Sequence, residues 1–74
     1  MEHFFMPRRR AVALIVRVRN ELLAKAAERL PVDAEPLYDT ADQLERLLLD
    51  VRACRVDEFE LNQPTTVHVT ISAD

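Results

Sequence analysis

Not one glycine occurs among the 74 residues of this chain. Glycine is the default wherever the backbone takes positive φ or a phosphate approaches the main chain closely. Its absence removes P-loops, dinucleotide fingerprints and nucleophile elbows in one step. No cofactor is expected.

A chain of this length makes one domain, near the lower limit at which a single hydrophobic core stands alone. With 49% apolar residues it is expected to fold rather than remain disordered. So small a core leaves little room for a buried catalytic pocket and invites a partner or a second copy. The single cysteine excludes an internal disulfide, so the expected location is the cytoplasm. Basic residues precede the apolar run AVALIVRV, but Arg17 and Arg19 cut it short and no small-residue cleavage site follows. No stretch reaches the roughly 20 apolar residues of a membrane span.

The net charge of −3 hides an uneven layout. Residues 1–30 carry seven basic and three acidic side chains, a balance of +4. Residues 31–74 carry three basic and ten acidic ones, a balance of −7. Such a split suggests charge-steered association, with nucleic acid for one half or a basic protein surface for the other.

From Ala11 to Val18 the β-branched residues Val12, Ile15, Val16 and Val18 dominate. As a strand, the stretch places Val12, Leu14, Val16 and Val18 on one face and Arg17 and Arg19 on the other. As a helix continuing to Leu30, it would set Arg19 inside the apolar stripe and Leu14 opposite. A strand is therefore expected. Residues 1–10, MEHFFMPRRR, then read as an N-terminal arm, and residues 11–74 as a single α+β domain.

Asn20 is the expected N-cap of a helix over Glu21–Leu30, with Leu22, Leu23, Ala26, Ala27 and Leu30 on one side and Pro31 ending it. PVDAEP, bounded by two prolines, reads as an ordered turn. Asp39 or Thr40 caps the second helix, whose stripe is Ala41, Leu44, Leu47, Leu48, Val51 and Cys54. Leu49 falls outside that stripe, on the polar side between Arg46 and Arg52. The tail alternates twice around NQPT. Matching the apolar faces sets Phe59 opposite Val69, Glu60 opposite His68 and Leu61 opposite Val67, around the loop Gln63-Pro64-Thr65. The expected architecture is β-α-α-β-β, a three-stranded sheet with two helices on one face; the alternative is α-α-β-hairpin.

Candidates for chemistry are few. Cys54 lies on an apolar stripe, where a cysteine behaves as a small buried hydrophobe. His68 and Glu60 make an ordinary cross-strand pair on a solvated face. Two histidines and one cysteine at these spacings match no zinc pattern, and the acids lack the spacing of a calcium loop. No catalytic, cofactor or metal residue is expected, and the chain does not read as an enzyme. The residues expected to touch a partner are Phe5, Arg8, Arg9 and Arg10 of the arm, Arg46, Leu49 and Arg52 of the second helix, and Glu58 and Glu60 of the hairpin.

In size, single-domain build, lack of glycine-based sites and bipolar charge, the chain resembles the small host-takeover proteins of bacteriophages. That resemblance implies a non-catalytic regulator or inhibitor that binds RNA polymerase and affects transcription, or one that binds a CRISPR effector complex. Charged groups would guide encounter and a few apolar anchors supply affinity. Two alternatives come from other classes. One is a small nucleic-acid-binding regulator, dimeric and contacting RNA through its arginines. The other is a structural subunit that assembles through its oppositely charged halves. No membrane partner is expected.

Overall fold

The computed structural model describes residues 2–62 and 65–72. Its elements are β1 (Glu2–Met6), α1 (Arg8–Ala27), α2 (Pro31–Arg52), β2 (Glu58–Leu61) and β3 (Val67–Ile71). This is the α+β, β-α-α-β-β arrangement read from the sequence, but its first strand lies elsewhere.

Residues 11–18 are helical. Ala11, Ile15, Val18, Leu22 and Ala26 recur three or four apart and all are buried, which is the pattern of a single helix face. Arg19 sits at the border of that face, where it pairs with Glu45 of α2. Leu14 flanks the other border and packs beside the core. Each β-branched residue costs a helix only roughly 0.5 kcal/mol, whereas burying a valine or isoleucine side chain contributes about 1.5–3 kcal/mol. Packing decides against propensity here.

Glu2–Arg10 is accordingly no arm. Glu2–Met6 pairs in parallel with β3, and Arg8–Arg10 open α1. Parallel strands need a long crossover, which the two helices and β2 supply. Asn20 lies inside α1 instead of capping it, and α1 ends at Ala27, before Pro31. PVDAEP is the start of α2, not a turn. Pro31 suits the first helical position because its fixed φ is helical and it has no N–H to leave unpaired. Asp33 complements the positive end of the helix dipole. Pro36 sits a turn further in, and the Thr40 hydroxyl donates to its carbonyl at 3.0 Å.

The sheet order is β1-β3-β2, with β2 and β3 antiparallel. Phe59↔Val69, Glu60↔His68 and Leu61↔Val67 stand opposite one another, the register expected from the alternation. Gln63 and Pro64 of the connecting loop lie outside the described residues. Ile15, Val18 and Leu22 of α1, Leu44, Leu48 and Val51 of α2, and Phe59, Leu61 and Val69 of the sheet form the core. Helices of 20 and 22 residues run about 30 Å, nearly twice the length of a five-residue strand. The helical hairpin therefore overhangs the sheet, giving a molecule of 42 × 25 × 14 Å. In the overhang the small buried residues Ala26, Ala34 and Ala41 take over the contact between the helices.

Among the described residues, the missing glycine is felt at one position. Beyond the Ala53 cap of α2, Cys54 takes φ 62°, the left-handed region. Its N–H bonds to the Val51 carbonyl at 3.1 Å and the Arg55 N–H to the Asp50 carbonyl at 2.9 Å, a Schellman closure of the helix. Cys54 is thus exposed at a helix end, not buried on the α2 stripe as expected. A side chain in this conformation costs about 1 kcal/mol relative to glycine. Cys54→Gly should raise stability by about that amount in urea denaturation, with an unchanged m-value.

Candidate functional site

Three surfaces carry the residues singled out from the sequence. The first is the junction of β1 and α1. Three arginines occupy the opening turn of α1, with no acidic residue among them, at the positive end of the helix dipole, where cations are disfavoured. Arg8 has a structural explanation. Its Nη1 donates to the carbonyls of Val51 (2.6 Å) and Val56 (3.2 Å), and its Nη2 to Asp57 Oδ1 (3.0 Å). One guanidinium thus ties the start of α1 to the negative end of α2 and to the lead-in of β2. Its stem is largely covered, so Arg8 is not available to a partner in the way the sequence suggested. Arg9 and Arg10 are exposed and form no ion pair among the described residues. Arg10 and Arg17 edge a groove between α1 and β1 whose floor is Phe4, Met6 and Leu14.

The second surface is the face of the sheet turned away from the helices. The register places His3, Phe5, His68, Thr70, Glu58 and Glu60 there. His3 stacks on Phe5 with ring centroids 4.5 Å apart and meets His68 edge-on at 4.7 Å. Its Nε2 lies 2.7 Å from the Thr70 hydroxyl. His68 stands opposite Glu60 as expected, yet its ring leans along the strand to Glu58, with Nε2 and Oε2 3.5 Å apart. Phe5 remains 70% exposed. An aromatic and two imidazoles in a row are a stacking platform in outline, but Glu58 and Glu60 on the same face oppose phosphate.

The third surface is the outer side of the helical hairpin. The Arg19–Glu45 ion pair bridges the two helices. Because they are antiparallel, Val16 (three before Arg19) and Leu49 (four after Glu45) lie to one side of that bridge. Leu23 (four after Arg19) and Tyr38 (seven before Glu45) lie to the other. Leu23, Tyr38 and Leu49 are exposed, Leu49 by 56%. Arg46 and Arg52 flank Leu49 within a turn on either side, both exposed. The surface is an apolar strip crossed by one ion pair and edged with arginine.

Of the expected contact residues, Arg46, Leu49 and Arg52 share the hairpin surface, while Phe5, Glu58 and Glu60 share the open sheet face. Arg8 is half-buried and bonded within the fold, and Arg9 and Arg10 are exposed, Arg10 at the groove beside β1. Leu23 and Tyr38 were missed because one was assigned to a buried stripe and the other to no element. Arg17 was also missed. Among the described residues no three His, Cys, Asp or Glu side chains are grouped to hold a metal ion, and no helix is long and apolar enough to cross a membrane.

Residues 2–72 match the family described as "Uncharacterized protein BTH_I2711-like", and the chain belongs to it. No curated protein and no solved structure matches the chain.

Proposed function

We propose that this member of the BTH_I2711-like family is a non-catalytic regulator that binds a larger nucleic-acid-processing assembly by protein–protein contact, with RNA polymerase as the first partner to test. The observation that carries the reading is Leu49. A leucine more than half exposed in the last turn of α2, on the side of the helical hairpin that carries Val16 and between two exposed arginines, gains nothing for the isolated fold. In an interface it is an apolar anchor rimmed by charge, the arrangement in which a few residues supply most of the affinity. The arginines would favour an acidic partner surface and speed encounter. Glu58 and Glu60, on the opposite face, suit a basic groove of the kind that holds nucleic acid. The cytoplasm is the location this reading requires.

The test measures binding of the purified chain to RNA polymerase and, in parallel, to a CRISPR effector complex and to generic RNA. Leu49→Ala should weaken the protein complex about tenfold while the melting temperature stays within a degree or two, because the side chain is outside the core. Equal binding by parent and mutant would remove Leu49 as the anchor. Salt-sensitive binding to RNA alone would favour the nucleic-acid reading instead.

A further inference from the structure

We propose that β1 is a self-association edge, pairing antiparallel with β1 of a second copy to give a continuous six-stranded sheet. The two edges of the monomer's sheet differ. β2 carries Glu58 and Glu60 among four residues, and such charge guards an edge against pairing. β1 has no lysine, bulge or internal proline, and exposes Phe4 and Phe5. Its one carboxylate, Glu2, stands at the first position, and no acidic residue or lysine guards the stretch from His3 to Met6.

The backbone selects the register. Met6 accepts a hydrogen bond from the Ser72 N–H, so its carbonyl points inward to β3. A strand's groups alternate sides, so His3 and Phe5 turn their N–H and C=O outward along the free edge. When His3 faces Phe5 of the second copy, all these outward groups find partners, in two symmetric hydrogen-bonded pairs. Centring on Phe5 sets His3 against Pro7, which has no N–H. Centring on His3 sets Phe4 against Glu2 of the second copy and gives up the apolar contact at the middle of the seam.

The side chains agree with the same register. Phe4 meets Phe4 of the second copy on the two-fold axis, in the closely spaced non-hydrogen-bonded position. On the open face each His3–Phe5 stack lies beside its symmetry mate, so four rings form one row. Glu2 of the second copy comes alongside Met6, at the end of the groove that Arg10 borders. Two Glu2–Arg10 ion pairs then close the seam, giving one of the cations at the opening of α1 a partner. The interface is isologous, as a two-fold dimer requires. It uses none of the helical-hairpin surface of the proposed function and stands or falls independently of it.

Sedimentation velocity and equilibrium of the full chain test the proposal. The expected species has twice the 8.5 kDa chain mass. Phe5→Pro deletes an outward N–H, which an edge strand tolerates, and should shift the protein to monomer with unchanged far-ultraviolet circular dichroism. Glu2→Arg and Arg10→Glu should each weaken the dimer about tenfold, and the double exchange should restore it. That rescue is specific to the register. A protein that stays monomeric at millimolar concentration overturns the proposal, as does growth beyond a dimer. A dimer indifferent to Phe5→Pro, or single charge reversals without mutual rescue, also overturns it.

Discussion

Ile15→Ala is expected to cost about 3–4 kcal/mol of unfolding free energy, within the range for removing three buried carbons from a tight core. Ile15 has no exposed surface and lies among α2 and β3 side chains. Its neighbour Val16 is half-buried at the border of the helix, and Val16→Ala should cost roughly 1 kcal/mol. This ordering separates helix from strand. Were residues 11–18 a strand with Val16 facing the core, Ile15 would lie on the outer face with Arg17 and Arg19, and the two costs would be reversed. Urea denaturation of both variants at one protein concentration gives the comparison, concentration being fixed because a dimer gains stability by mass action.

Arg8→Ala should cost about 2–3 kcal/mol. Hydrogen bonds from a charged donor contribute about 1.5–3 kcal/mol, and Arg8 makes two to carbonyls in a partly buried setting. Truncation leaves the Val56 carbonyl without this donor and strips a cation from the negative end of α2. The ion pair with Asp57 adds little, since that carboxylate is mostly exposed; Asp57→Asn should change stability by less than about 1 kcal/mol. Arg8→Lys should recover only part of the loss, because an ammonium cannot fork between carbonyls 51 and 56. A loss for Arg8→Ala no larger than for Arg9→Ala, measured in the same denaturation series, would show that the clamp contributes nothing.

These two residues mark where the sequence was legible and where it was not. The β2–β3 hairpin was readable to the residue, because both strands alternate cleanly and lie side by side in the chain. The C-terminal half of α2 was readable for the same local reason, its leucines recurring at helical spacing. Leu49 stood out because it broke that spacing. Helix α1 was misread because β-branched side chains favour strands locally, and the compensation is tertiary, in α2. The first strand left almost no trace: Glu2, Phe4 and Met6 share a face, but adjacent phenylalanines blur the alternation and the pairing partner is near the other end of the sequence. Arg8 was unreadable for a related reason. Its role depends on where the end of α2 arrives, and no local pattern encodes that.

The placement of β3 between β1 and β2 has a consequence for how the molecule is born. Both outer strands pair only with β3, and β3 is made last of the three. During synthesis the helical hairpin can form as soon as Arg52 is available, since its contacts are local. Glu2–Met6 cannot: sixty residues separate Met6 from Val67, which is roughly 3–12 s of translation at about 5–20 residues per second. Throughout that interval the nascent chain carries an unmated, phenylalanine-bearing segment. Chains ending before Val67 would keep the helices yet have no sheet at all, and neighbouring ribosomes on one message would hold such segments within reach of each other.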